Sequence, residues 1–548
     1  MGIPHYFYVI TKSYHNILQN KLPSNKRCQH FLVDYNGLIH PASAKYLKEV
    51  TTSQKLPKDI EKGILQEVWN TTQDLVTMVK PEKTVQLYVD GVAPVAKMSQ
   101  QRRRRFLSVY RKKKLNDPGL WDSNAISPGT TFMARLTASI RAHIRISKGK
   151  QTATDPLEYH FSSADEPGEG EHKLFERMIR LYGTDPNETK VIYGMDADLI
   201  MLSLLSNVPN IYLLRENQRV PNEWMYLDVD ALRIGIIYDL EESYGFRIAT
   251  EARTDPFGLE ARQVIESYIV ICFLLGNDFL PHSSIFQLKR GGLEDLLNRA
   301  SKIWNETGIP VVDIHTEQIQ WNFLTQLLDS LSQNEDNAFY YQVKRHHDKR
   351  PPSFENDAEK LEALPLLEPS PFSYELLFQV NRQKWRLHYY HTLFHSPMND
   401  SQPIRSSCDL YLQGILWTYQ YYKRKPYDPN WYYPYAYSPT MRDIANYLNG
   451  HLPTYEALKS QWETTHPRPD FVHPIVQLLS ILPKESVHCL PVKYHPLMTS
   501  PASPLTYLYP DSYPLHTFMK EKLWECVPIL PPMNIPAVQR AFLGAPLP

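Results

Sequence analysis

The sequence predicts an α/β fold: a mostly parallel sheet flanked by helices, with a largely helical, aromatic-rich second region packed on it. Short apolar runs alternate with helix-length amphipathic stretches from Phe31 to Leu275, the pattern of strand–helix–strand units in a parallel sheet. Several of those runs end in an aspartate. The aromatics concentrate late, in YLQGILWTYQYY and WYYPYAY, and are too apolar for a disordered tail.

Phe31-Leu32-Val33 is expected as a buried strand ending at Asp34, with a helix from Leu38 onward. Ile60 to Val79 spaces Ile64, Leu65, Val68, Leu75 and Val79 as one face of a helix. Val85, Leu87 and Val89 alternate with Gln86 and Tyr88, a strand broken by Asp90-Gly91. After Pro94 the chain suits a helix, in which Lys97, Gln101, Arg104 and Arg105 fall at i, i+4, i+7 and i+8 and share one face. The turn Ser127-Pro128-Gly129 precedes a helix over Thr131 to Ile146. Glu166 to Lys173, reading EPGEGEHK, opens a helix to about Leu181. Val191-Ile192-Tyr193-Gly194 is a strand running into Asp196-Ala197-Asp198, and Ile211 to Leu214 is another. Ala261 to Leu275 is an apolar helix stopped by Gly276-Asn277-Asp278.

From Gln333 to Pro369 the composition turns polar, charged and proline-rich, as expected of a linker or surface excursion. Beyond it the chain is aromatic and helical from Tyr374, then proline-punctuated past Pro467, with a short helix at Val472 to Ile481. The expected partition is an α/β region over 1–332, a linker or surface excursion over 333–370 and a second, helical and irregular region over 371–548 packed on the first.

Lysine plus arginine and aspartate plus glutamate both number 59, so the formal net charge is zero. A nucleic-acid partner must then be held by a local basic patch. The five cysteines, Cys28, Cys272, Cys408, Cys489 and Cys526, form no CxxC pair, which favours a reducing compartment over a disulfide framework or zinc ribbon. Met1 to Ile10 carries no signal-peptide core, and the longest apolar run, Tyr268 to Leu275, is too short to span a bilayer. An intracellular, soluble chain is expected, in nucleus or cytoplasm.

Seven acidic residues follow strand ends or sit in turns: Asp34, Asp90, Glu169, Glu171, Asp196, Asp198 and Asp278. In a parallel sheet such positions gather at one edge, where ligands bind. Hard cations such as Mg²⁺ take oxygen ligands. Two of them about 3.5–4 Å apart can hold the attacking and leaving oxygens of a phosphodiester. One such residue alone is more often a helix cap; seven around one sheet are hard to explain that way. Arg102 to Arg105 with Arg111 to Lys114 also reads as a nuclear-localisation patch, but helical spacing selects particular residues for a phosphate pocket. Trp417, Trp431 and Cys272 read as core.

With these blocks in view, the chain resembles the 5′→3′ exoribonuclease (XRN) family. The matching blocks are MGIPHYF, VDYNGLIHP, VDGVAPVAKMSQQRRRRF, SPGTTFMARL, EPGEGEHK, YGMDADLIML, LLGNDFLPH, LQGILWTYQYY, WYYPYAYSP and LWECVPIL, in the family's order. The match covers the catalytic core, with no counterpart of the extra C-terminal domains of the long cytoplasmic members. The resemblance implies a PIN/flap-nuclease-like α/β core. It also implies processive hydrolysis of 5′-monophosphorylated single-stranded RNA to nucleoside 5′-monophosphates, in RNA decay or processing. Two Mg²⁺ ions are implied, with Mn²⁺ able to substitute, on the same seven carboxylates. Lys97, Gln101, Arg104 and Arg105 fall on the family's 5′-phosphate pocket. His40 and Trp524 fall on the pair that sandwiches the first base. A monomer acting on RNA is expected. His5 and Tyr8 depart from the family, which usually has a basic residue and an arginine there, and this bears on strand handling. The complete acidic set weighs against a relative that binds RNA without cutting it, and the aromatic second half weighs against a structure-specific DNA nuclease.

Overall fold

The structure is a computed structural model. It describes residues 3–544 apart from positions 4, 55–56, 151–156, 185, 218–219, 221–222, 284, 286–287, 289–290, 369–383, 398–399 and 468–469. The expected boundary at 370/371, the helical start at Tyr374, and Met1, Gly2 and Pro4 of the first matching block lie outside the described residues.

Among the described residues ten α-helices organise the first half: α1 Tyr6–Ser13, α2 Asn36–Ser53, α3 Ile60–Val79, α4 Val95–Leu115, α5 Thr131–Lys150, α6 Gly170–Thr184, α7 Asp198–Ser206, α8 Val229–Glu242, α9 Glu251–Thr254 and α10 Leu259–Cys272. Between them run the strands β1 Leu18–Gln19, β2 His30–Asp34, β3 Thr84–Tyr88, β4 Glu158–Ser162, β5 Lys190–Tyr193, β6 Ile211–Glu216 and β7 Trp224–Asp228. The seven strands form one sheet in the order β1-β7-β6-β5-β2-β3-β4. β4, β3, β2, β5 and β6 are parallel, and β7 returns antiparallel to β6. This is the mostly parallel α/β sheet the sequence predicts.

Alternation along each strand divides two cores. Leu32, Ile192 and Leu213 face one side of the sheet, where α6, α7, α8 and α10 pack. Phe31, Val33, Val191, Tyr193 and Leu214 face the other, with α2, α3 and α5. All are at most 1% exposed, and each such side chain contributes about 1.5–3 kcal/mol by burial. The second region feeds both cores. Its Gln402–Tyr422 helix brings Tyr411, Trp417 and Tyr422 to the first, and its Pro474–Ile481 helix joins the second.

The stretch expected as a linker or surface excursion is mostly helical, over Glu335–His347, Asp357–Glu362 and Leu364–Leu367. One face of it is built into the fold: Glu335 accepts from the Met441 and Arg442 amides, and Phe339 stacks on Trp385 at 3.9 Å. Among the described residues no helix is long and apolar enough to cross a membrane.

Candidate metal centre and phosphate pocket

Parallel register brings the acidic residues together. Asp34 ends β2 opposite Tyr88 of β3, and Val33 lies opposite Tyr193 of β5. The chain therefore leaves three adjacent strands on one edge of the sheet, with Asp90 just past β3 and Asp196 and Asp198 just past β5. Glu169 and Glu171 reach the same edge at the start of α6. That start comes close enough for the Gly170 amide to donate to Asp90 Oδ1 at 2.7 Å. A Cβ at Gly170 would sit 2.7 Å from the Tyr88 carbonyl oxygen, so only glycine allows this approach. Gly168, at φ 96°, turns the chain into it.

A cleft of about 860 Å³ opens here, lined by Asp34, Asp90, Glu169, Glu171 and Asp196 and by Lys97, Gln101, Arg104 and Arg105 of α4. Asp198, 1% exposed, does not line it. Neither does Asp278, whose side chain is 3% exposed and accepts from Lys97 at 3.2 Å. Lys97 also pairs with Glu169 Oε2 at 2.7 Å, so it spans the gap between the basic row and the carboxylates. His40 lines the cleft, as do His5 and Tyr8, the two departures from the family pattern. Trp524 does not line it: it is 52% exposed on the short Leu523–Glu525 turn, which packs near the Asp357–Glu362 helix.

The arginine run is sorted by function. Arg102 is buried and donates to the Pro531 and Leu508 carbonyls, and Arg103 donates to that of Tyr433. These two fasten the second region to α4. Arg104 and Arg105 turn to the cleft, where Arg105 Nη1 is buried without a hydrogen-bond partner among the described residues. An uncapped guanidinium N–H in a cleft suits an incoming phosphate oxygen.

Negative charge is crowded. Burial and the neighbouring Asp90 push Asp34 up to about 7. Burial also raises Glu169, and raises Glu171 well above the usual carboxylate range, with the charges of Glu169, Asp198 and Asp34 adding to the effect on Glu171. Asp198 is raised by burial and by Asp278. Asp278 itself is held low against its burial by positive neighbours that include Lys97. Burial opposes the charge on Lys97, yet Glu169, Asp278, Glu171 and Asp198 raise its pKa well above the usual lysine range. One ammonium cannot neutralise seven carboxylates, and the donors are all hard oxygens. The set fits divalent cations of the Mg²⁺ type. Beside the basic row, the crowding of protein around His40 in the cleft and the charges of Arg104 and Arg105 lower it to about 4, so its ring is neutral at neutral pH.

Several residues beyond the expected set hold the site in shape. Asn36 donates to Asp90 Oδ2 at 2.9 Å and accepts from the Asp90 amide, fixing that carboxylate's plane. Arg215 donates to the Asp196 carbonyl at 3.0 Å while lying over Phe7, and so pins the loop after β5. Tyr421 donates to Glu169 Oε1, and Tyr422 to Asp198 Oδ1 at 2.7 Å. The sequence carried a signal for the tyrosines: a buried phenol needs a hydrogen-bond partner, and Tyr419, Tyr421 and Tyr422 crowd one helix. It could not say that the partners are carboxylates more than two hundred residues away.

Comparisons with known proteins agree along the chain. A family model described as XRN 5′-3′ exonuclease N-terminus matches residues 1–217, and one described as Xrn1 helical domain matches 258–368 and 378–541. The chain is 28% identical to 5′-3′ exoribonuclease 1 of Homo sapiens over 97% of its own length and 33% of the relative's. It is 25% identical to 5′-3′ exoribonuclease 2 of Yarrowia lipolytica over 93% of the chain and 64% of the relative. It is also 25% identical to 5′-3′ exoribonuclease 1 of Schizosaccharomyces pombe, over 97% and 47%. The chain thus spans less than two thirds of the length of each of these relatives. Among solved structures, the catalytic core of Rad2 in complex with DNA substrate aligns over 73% of this chain and 97% of that one, at 12% identity and a TM-score of 0.29, too low to carry an argument.

Proposed function

The chain belongs to the XRN 5′-3′ exonuclease family, and from that premise we propose that it is a metal-dependent, processive 5′→3′ exoribonuclease acting inside the cell as a monomer. Its substrate is single-stranded RNA with a 5′-monophosphate, and its products are nucleoside 5′-monophosphates. The observation that carries this reading is the shared cleft, lined by phosphate-type donors and by carboxylates together. A terminal phosphate held by the donors would present the next phosphodiester to the carboxylates.

Arg104 and Arg105 offer planar forks to the terminal phosphate, while Lys97 adds a point charge and Gln101 an amide. A pocket of this kind takes one phosphate and excludes a triphosphate or cap by size. His40 offers a neutral ring face to the first base, and stacking accepts every base alike. Trp524 does not line the cleft, so its part in that stack would depend on RNA drawing the Leu523–Glu525 turn inward. Asp34, Asp90, Glu169, Glu171, Asp196, Asp198 and Asp278 would hold two Mg²⁺ or Mn²⁺ ions. Bound there, those ions would supply an activated water and neutralise charge at the leaving oxygen. Asn36 and Gly170 keep the Asp90 carboxylate aimed.

The test compares 5′-monophosphate RNA, 5′-hydroxyl RNA, capped RNA and flap DNA, with wild type, chelator and Asp198→Ala. Rapid, metal-dependent loss of monophosphate RNA alone, abolished by Asp198→Ala, is the expected result. Preference for flap DNA would make the protein a structure-specific DNA nuclease, and binding without cleavage would make it an RNA-binding relative.

A further inference from the structure

The Gln402–Tyr422 helix ends between the starts of α6 and α7, and two successive tyrosines there reach two different carboxylates of the acidic set, Glu169 in the cleft lining and Asp198 buried behind it. Tyr421 is 3% exposed and Tyr422 1%. Their rings are fixed from several sides. Tyr421 stacks on Trp417 at 4.8 Å and meets Phe279 and Tyr427 edge-on at 5.5 and 5.2 Å. Tyr422 meets Phe273 edge-on at 5.7 Å. A phenylalanine would fill the same space, so the hydroxyls need a reason of their own.

That reason lies in which oxygen each one takes. Tyr421 occupies Glu169 Oε1, while Glu169 Oε2 faces Lys97. Tyr422 occupies Asp198 Oδ1. Each carboxylate is therefore tethered by one oxygen to a buried phenol, which leaves its second oxygen, paired with Lys97 in the case of Glu169, as the one to meet a cation. Chelating a cation with both oxygens would set the cation in competition with the phenol for the lone pairs of the held oxygen and weaken a buried hydrogen bond, which is unfavourable. Mg²⁺ demands compact octahedral geometry and takes one oxygen per carboxylate alongside its waters. Ca²⁺ takes six to eight oxygens, often with bidentate carboxylates.

Resting on the metal-dependent reading above, we infer that Tyr421 and Tyr422 are positioning residues that hold Glu169 and Asp198 as single-oxygen ligands and so set a preference for small octahedral cations over Ca²⁺. The second region thereby governs which ion the first accepts. Tyr419, on the same helix, supplies an internal comparison. Its hydroxyl donates at 2.5 Å to Glu266, which also accepts from Lys423 and Arg262, a buried network outside the cleft.

The experiment titrates the full, RNA-free chain with Mg²⁺ and with Ca²⁺ by calorimetry and records its melting temperature in chelator. The proteins are wild type, Tyr421→Phe, Tyr422→Phe and Tyr419→Phe. The two cleft variants should lose about tenfold in Mg²⁺ affinity, the scale of a lost outer-shell hydrogen bond, while Ca²⁺ affinity holds or rises. Tyr419→Phe should melt lower with the Mg²⁺ to Ca²⁺ affinity ratio unchanged. A wild type that binds Mg²⁺, together with cleft variants that keep its ratio, overturns this inference alone. A wild type that binds neither ion overturns the metal reading and the inference with it. Either tyrosine variant suffices if the other does not fold.

Discussion

The Lys97 ammonium lies 2.7 Å from Glu169 Oε2, so a residue of the basic row is ion-paired with a residue of the acidic set. Both are buried, at 8% and 3% exposed. Removing one partner of a buried pair costs about 3–5 kcal/mol because the other charge is left uncompensated. A lysine pKa raised by folding gives stability that is fully present below the unfolded-state value and is lost only as pH rises through the higher folded value. At neutral pH the whole effect is therefore visible. Lys97→Met should melt several degrees lower than wild type in chelator, and Mg²⁺ should recover most of the difference. Equal melting curves in chelator would mean that Lys97 does not balance the cluster.

Arg104 is the exposed member of the phosphate row. A hydrogen bond to a charged group is worth about 1.5–3 kcal/mol, or roughly 10- to 100-fold in rate. Arg104→Ala should lose that much kcat/KM on 5′-monophosphate RNA while its metal-dependent cutting of 5′-hydroxyl RNA stays near wild type. The measurement is the ratio of the two rates; an unchanged ratio would put the terminal phosphate elsewhere.

His40 and Trp524 differ in place, one lining the cleft and the other outside its lining. Stacking is worth about 1–3 kcal/mol per base. His40→Ala should slow degradation of all four homopolymers alike, and His40→Phe should restore much of the rate. Trp524→Ala should slow them alike as well and increase stalling at stable hairpins if the turn closes on RNA. Wild-type speed and processivity in Trp524→Ala would remove that residue from the stack.

Glu335 gives a pH dependence away from the cleft. Burial pushes it up to about 7, against the pull of the Met441 and Arg442 amides. A raised carboxyl pKa means that the folded chain holds the proton more tightly than the unfolded one. Stability contributed by this group is therefore greatest at low pH and falls as pH rises from about 4.5 to about 7. The full loss is on the order of 3 kcal/mol. Glu335→Gln, which keeps an acceptor for those amides, should flatten the pH dependence of the melting temperature across this window and raise it at pH 8. Parallel curves for the two proteins would contradict this.

Much of the site could be read locally. Asp34 and Asp90 were legible because alternation marks where a strand ends, and parallel strands end on one edge. Lys97, Gln101, Arg104 and Arg105 were legible because helical spacing alone places them on one face, and all four line the same cleft. The expected helix at Ile60–Val79 is observed with those bounds. For Gln333 to Pro369, expected as a linker or surface excursion, polar composition reports average exposure and cannot show that one face, with Glu335 and Phe339, is buried.

What the sequence determined by itself was the set of charged groups and the direction each takes from its own strand or helix, since both follow from backbone periodicity over a few residues. Only the tertiary structure decided depth and partnership. It set Asp198 and Asp278 outside the cleft lining, paired Lys97 with Glu169 and Asp278, took Arg102 and Arg103 out of the basic patch to bind carbonyls, and brought Tyr421 and Tyr422 onto Glu169 and Asp198. Those pairings join residues up to several hundred positions apart. They follow from a physical demand that no local pattern encodes: every buried donor or charge must find its partner wherever the packed chain puts one.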